Sequence, residues 1–286
     1  MLAVFRMNTS LIDDIKYSTI DIAEEVESMT TVIGIACKNG IILATDSQGS
    51  YGKGIEMKRF GVNKIIPITR NGINGISLAM AGSGDAKHIK RLGEELTREI
   101  GDKQLGDIEL KDRVEDLLYR IYRKYNVERS NTLGIENRQY FHPTSILAAR
   151  LFPTGYGLYL LSNDPWIEPI MEYETIGSGA PFADLLLKQI QRSFSIANRN
   201  FRDMDIEIML AYSCYVINEV KTVDIQSGGQ TRIGIITNKG YADLTEEQIS
   251  KIYQHYVGVV SHAFTKAIDD PNITAEMLKD VYPPEK

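Results

Sequence analysis

Cysteine, histidine and long apolar runs are all scarce in this chain. Its 286 residues include two cysteines, four histidines and one tryptophan. Cys37 and Cys214 each lie inside an apolar stretch. They read as two buried small hydrophobes rather than a disulfide or a metal pair. His88, His142, His255 and His262 show no metal-ligand spacing, so no metal site is expected. No apolar run approaches the roughly 20 residues that span a bilayer. Basic residues do not cluster, and 32 of them against 38 acidic ones give a net charge of -6. A nucleic-acid partner would need a positive patch to neutralise phosphates, so that class is disfavoured. The amino terminus has too short an apolar part for a secretory signal, and the acidic stretch 12–28 does not suit a transit peptide. These absences give the expectation of a soluble, cytoplasmic protein with no membrane partner.

What is present is an ordinary globular composition, 43% apolar with 23 glycines and 9 prolines, enough for a substantial core. Three segments are expected: an appendage or propeptide over 1–29, a folded domain over 30–267, and a tail over 268–286. Within the domain, Asn39-Gly40 between two β-rich runs predicts a hairpin. A second strand pair is expected at Lys64–Thr69 and Gly75–Ala81, followed by helices over Gly84–Ile100 and Leu110–Tyr125, where apolar residues recur at helical spacing. Strands return at Thr144–Phe152 and Gly155–Ser162. Pro181 suits the first turn of a helix running through Ile190. Asp205–Val220, apolar nearly all round, predicts a buried helix. Arg232–Thr237 and Tyr241–Leu244 form a last hairpin, and Thr245-Glu-Glu-Gln248 has the spacing of a capping box that opens a final helix through Phe264. Two antiparallel sheets face to face, with helices outside both, would bury all these apolar faces. The fold class is therefore α+β.

Chemistry-bearing residues recur at the edges of these elements. Thr30 heads the first hairpin and Asp46 stands at its far end. Lys64 precedes the apolar Ile65-Ile66-Pro67-Ile68. Gly82 lies in Ala81-Gly-Ser-Gly-Asp85, Ser178 in Gly177-Ser-Gly179, and Asp224 and Ser227 in Asp224-Ile-Gln-Ser-Gly-Gly229. Each has a plainer reading: an ordinary Lys–Asp pair, a turn that needs glycine, an N-cap at Ser178, a helix-end turn at Asp224. A threonine hydroxyl is a poor nucleophile without a base, and a free α-amine with an unperturbed pKa of about 7.7–8.0 can supply one.

Taken in this order, the motifs resemble the active site of proteasome β subunits, threonine proteases of the N-terminal-nucleophile hydrolase class. The resemblance spans roughly 30–266 and implies a four-layer αββα sandwich. It implies that Thr30 is the nucleophile, that Lys64 favours its deprotonation, and that Asp46 holds Lys64 charged. Gly82 would give the oxyanion N–H, while Ser178, Asp224 and Ser227 would surround the amine. Met80 matches a position lining the pocket for the residue before the cleaved bond, although methionine on a central strand is commonly core filler. The mechanism needs no metal or organic cofactor. It implies polypeptide substrates and a homo-oligomeric ring, with α-type subunits and an ATP-dependent unfoldase as possible partners. The family carries glycine before its nucleophile, and here Met29 stands there. Thr30 is then exposed by self-cleavage after Met29, or by an aminopeptidase if Met29 is the initiator. A proteasome-related protein ligase and a catalytically silent ring subunit remain alternative readings.

Overall fold

The computed structural model describes residues 30–51, 57–59, 61–68, 78–84, 86–100, 103, 105–124, 144–151, 155–162 and 166–269. The expectations for 1–29, for the Met29–Thr30 junction and for the tail beyond 269 lie outside these residues.

Two five-stranded antiparallel sheets form the centre. The first sheet orders β10 (Tyr173–Gly177), β1 (Thr31–Cys37), β2 (Gly40–Thr45), β11 (Arg232–Thr237) and β12 (Gly240–Asp243). The second orders β5 (Ile65–Pro67), β6 (Leu78–Ser83), β7 (Thr144–Arg150), β8 (Tyr156–Leu161) and β9 (Ile167–Pro169). A separate small hairpin joins β3 (Gly49–Tyr51) to β4 (Met57–Arg59). Five helices follow: α1 (Ala86–Ile100), α2 (Asp107–Tyr122), α3 (Ala180–Ile196), α4 (Ile206–Val223) and α5 (Glu246–Asp269) among the described residues.

Strand periodicity explains the layering. In β1, Val32 and Ala36 face the opposite sheet and, with Ile41 and Leu43 of β2, meet Ala79, Ala81, Ile146 and Leu158 there. Their neighbours Ile33, Ile35 and Cys37 face α3 and α4, packing against Leu187, Phe201, Met209 and Val216. A strand buried on both sides reads as a continuous apolar run, as Val32–Cys37 does. On the far side, α1 and α2 cover the second sheet through Leu92, Leu96, Val114 and Leu117 against Met80, Leu147 and Tyr159. The order of layers is therefore αββα, as expected.

Several boundaries move for local reasons. The first hairpin closes with Cys37 paired to Gly40, so its loop is Lys38-Asn39. Neither Asn39 nor Gly40 has a positive φ; Gly40 is instead required by space, since a Cβ there would come within 2.5 Å of the Ile236 carbonyl. The Asn39 side-chain oxygen accepts the N–H of Ile206 at 2.8 Å and so caps α4. At α5 the capping box forms: Gln248 N donates to Thr245 Oγ1 at 3.2 Å, and Thr245 N to Gln248 Oε1 at 2.8 Å. Helix α4 is buried along Ile206, Met209, Cys214, Ile217 and Val220, but Ile208 is 42% exposed, so the helix is not buried all round. Strands β9 and β10 lie in a segment that the sequence pattern does not mark.

Cys37 and Cys214 are free and buried. Burial pushes both thiols up to about 12, where the reactive thiolate is negligible at neutral pH. A thiol-alkylating reagent at pH 8 should therefore label neither cysteine in the folded protein and both in denaturant. Counting modified thiols by intact mass checks this, and labelling of the native protein would show that one of them opens to solvent.

Candidate functional site

Strand β1 begins one residue after Thr30, and β2 ends one residue before Asp46, so the antiparallel pairing brings the two to the same sheet end. Asp46 is fully buried. Its carboxylate accepts five donors: the Thr30 hydroxyl at 2.6 Å, Lys64 Nζ at 2.7 Å, and the N–H groups of Thr31, Gln48 and Gly228, each at 3.0 Å. A carboxylate taken out of water is tolerable only with its lone pairs satisfied in this way. Lys64 is delivered by the residues entering β5, and its side chain is 4% exposed. Its Nζ bonds both Asp46 Oδ1 and Thr30 Oγ1. Burial pulls the Lys64 ammonium below the usual lysine range, while the charges of Asp46 and then Asp224 oppose the fall. A lysine so placed can hold a positive charge against the Thr30 oxygen or release a proton more readily than a surface lysine.

Ser178 arrives from β10, which pairs with β1 so that Thr31 faces Gly177. Gly177 has φ of +97°, and a Cβ there would run into the Thr30 carbonyl, which restricts the position to glycine on both counts. Helix α3 is capped by Gly179, with no side-chain bond from Ser178. The Ser178 hydroxyl instead reaches Asp224 Oδ2 at 3.0 Å and the Thr30 carbonyl at 3.3 Å. Asp224 terminates α4 and divides its two oxygens. Oδ1 accepts Gln226 N at 3.0 Å, closing an Asx-type turn, and Oδ2 accepts the Ser227 hydroxyl at 2.6 Å. The turn reading of Asp224 is thus half of what the residue does.

Gly82 lies on β6 opposite Ser145. A Cβ there would come within 2.8 Å of both Ile89 Cγ2 and Ser145 Oγ. The positive φ of this strand-to-helix connection sits at Gly84, at +107°, so Gly82 answers to space rather than to the turn. Gly82 and Lys64 share the wall of a cavity of about 450 Å³, with Val62, Ile66, Ile89 and Thr97. Met80 does not line it; Met80 is fully buried among Leu92, Leu96 and Leu147, as core filler.

The structure therefore gathers Thr30, Asp46 and Lys64 into one hydrogen-bonded cluster and Ser178, Asp224 and Ser227 into another, with Gly82 at the adjoining cavity. Sequence reasoning missed Thr31, Gln48 and Gly228 as partners of Asp46. All three reach Asp46 through main-chain N–H, which residue type does not signal. The Thr31 hydroxyl, which bonds Ser227, does have a signal, the doublet Thr30-Thr31 at a strand head. Among the described residues no group of His, Cys, Asp and Glu is arranged to hold a metal, and no helix is long and apolar enough to cross a membrane.

Comparison with known proteins addresses the family. A family model described as "Proteasome subunit" matches residues 26–136. A "Proteasome subunit beta" of Nanoarchaeum equitans is 31% identical over 162 residues, which are 54% of this chain and 70% of that protein. The chain belongs to the proteasome β-subunit family. Similar proteasome β proteins include one from Ferroglobus placidus, 28% identical over 82% of this chain and 98% of its own length, and one from Methanosphaerula palustris, 26% identical over 78% and 92%.

Asp46→Asn should destabilise the fold by roughly 3–5 kcal/mol, because an amide cannot accept all five donors and Lys64 loses its counter-charge. Urea unfolding of the two proteins measures the difference. A shift below 1 kcal/mol would mean that the cluster relaxes or admits water.

Proposed function

We propose that the chain is a threonine-type endopeptidase subunit whose nucleophile is Thr30 Oγ1. The observation that carries this reading is the Thr30 hydroxyl held in a buried pocket between the Lys64 ammonium and the Asp46 carboxylate. Once the Met29–Thr30 bond is broken, the free α-amine of Thr30 is the base. The hydroxyl oxygen attacks the scissile carbonyl while its proton passes towards the amine. The Lys64 charge favours the developing alkoxide, and Asp46 keeps Lys64 charged and oriented. Collapse of the tetrahedral intermediate expels the leaving amine with that proton and leaves an ester on Thr30. Water then attacks the ester, releasing a carboxylic acid and restoring the hydroxyl. Gly82, at the cavity wall, is the candidate oxyanion donor. Ser178, Asp224 and Ser227 hold the main-chain side of Thr30.

Family membership supports a ring of such subunits, with unfolded polypeptide as substrate and an α-type ring and ATP-dependent unfoldase as partners in the cytoplasm. Residues 1–29 fit a propeptide whose loss exposes Thr30.

Intact mass of protein expressed from Met1 should match residues 30–286, and Thr30→Ala should stay full length with no peptidase activity. A mature-length, active Thr30→Ala protein rules out the Thr30 mechanism. In ¹⁸O-labelled water the new carboxyl terminus should carry the label; transfer to an added amine without label would indicate a ligase instead.

The walls of the cavity beside Lys64 are mainly aliphatic at Val62, Ile66 and Ile89. Peptides with leucine or phenylalanine before the cleaved bond should be turned over faster than those with aspartate, since burying an unpaired carboxylate there is costly. A fluorogenic peptide panel decides, and a preference for aspartate would exclude this cavity as the subsite.

A further inference from the structure

Thr31, the residue after the nucleophile, touches the Asp46 carboxylate directly and reaches the Asp224 carboxylate through Ser227. Its N–H donates to Asp46 Oδ1 at 3.0 Å, and its carbonyl accepts Asp46 N at 3.3 Å. Its side-chain oxygen lies 2.6 Å from Ser227 Oγ. The residue is fully buried, and Ser227 is only 4% exposed.

Counting protons gives this last bond a direction. Ser227 has one hydroxyl proton, and the ionised Asp224 Oδ2, 2.6 Å away, can only accept. Ser227 therefore donates to Asp224, and Thr31 donates to Ser227. A chain of donors runs Thr31 to Ser227 to Asp224, and Ser178 joins Asp224 from the other side at 3.0 Å. The turn carrying Ser178 also closes over the Thr31 hydroxyl, since a Cβ at Gly179 would run into Thr31 Oγ1. That same turn holds the Thr30 carbonyl, through Gly179 N at 3.4 Å and Ser178 Oγ at 3.3 Å.

The consequence concerns the amine. A hydroxyl oxygen has one proton and two lone pairs. With its proton on Asp224 and one lone pair taken by Thr31, Ser227 Oγ keeps a single lone pair and nothing to donate. Such a group can accept an N–H from a neighbouring amine, but it cannot occupy the nitrogen lone pair that must receive the proton of the nucleophile. We infer that Thr31 is a positioning residue for peptide-bond hydrolysis: its hydroxyl fixes Ser227 on Asp224 in the acceptor-only state, leaving the Thr30 amine free to act as base. This inference rests on the reading of Thr30 as nucleophile.

The test compares the full chain as wild type, Thr31→Val and Thr31→Ser, each freed of residues 1–29. Valine keeps the shape and removes the hydroxyl, while serine keeps the hydroxyl. Thr31→Val should lower kcat roughly tenfold, the scale of one lost buried hydrogen bond, with KM unchanged. Thr31→Ser should restore kcat. A Val variant that turns over like the wild type, a loss confined to KM, or a failure of serine to rescue would each overturn the inference. If the wild type itself hydrolyses no peptide, the nucleophile reading fails and crystal structures of wild type and Thr31→Val judge the positioning. Ser227 turned away from Asp224 in the variant supports it, and Ser227 unmoved refutes it.

Discussion

A carboxylate sealed inside the protein is the constraint on which the rest of this site depends. Asp46 can stay there only while five donors converge on it, and these come from separate parts of the chain: the head of β1, the residues after β2, the entry to β5, and the glycine pair after α4. Two of the five are side chains in the proposed chemistry, Thr30 and Lys64. The other three are main-chain N–H groups that fix where the segments meet. The same contacts that make the burial tolerable therefore set the distances of the proposed reaction. The geometry proposed for catalysis and local folding share one interaction network, and neither can be relaxed without the other.

Two sheets, each apolar on both faces, supply the rigidity that this network needs. Three of the four segments reaching Asp46 adjoin β1, β2 and β5, whose side chains lie in close-packed layers. Interiors at that density resist displacement, so the donors arrive preorganised. The second carboxylate, Asp224, works differently. It ends a helix and closes its own turn with one oxygen while the other serves Ser178 and Ser227.

Much of this was legible in the sequence because the informative residues sit where periodicity breaks. Val32–Cys37 and Gly40–Thr45 read as buried strands, and Thr30 and Asp46 are the polar residues at their ends. Asp224 and Ser227 follow a clear helical run in the same manner. Strands β9 and β10 were not legible. Ile167–Pro169 is only three residues long and ends in proline, and Tyr173–Gly177 alternates weakly, with Ile176 its one fully committed apolar position. Their strand state comes from pairing with β8 and β1, a tertiary cause that a local pattern does not contain. Met80 shows the converse: its position suggested a pocket, but a methionine between two leucine-rich helices and a central strand is absorbed by the core. The Thr31 hydroxyl escaped notice because its partner, Ser227, is 196 positions away.

The cap that Asn39 places on α4 has a metrical consequence. At one end of the sheet, the hairpin tip grips the first turn of the helix; at the other, Thr31 meets the turn that follows the helix. Strand and helix are thus two antiparallel rods pinned together at both tips. Six strand steps from Thr31 to Cys37 span about 20 Å, with the Lys38-Asn39 loop continuing beyond them, and seventeen helical steps from Ile206 to Val223 span about 26 Å. The pair works as a vernier. One residue added to the strand would offset the tips by about 3.3 Å and turn every side chain to the opposite face. One added to the helix would offset them by about 1.5 Å and rotate the exit by about 100°. Substitutions along either rod can be absorbed by packing, but insertions and deletions cannot, so the lengths of these two elements are fixed more tightly than their compositions.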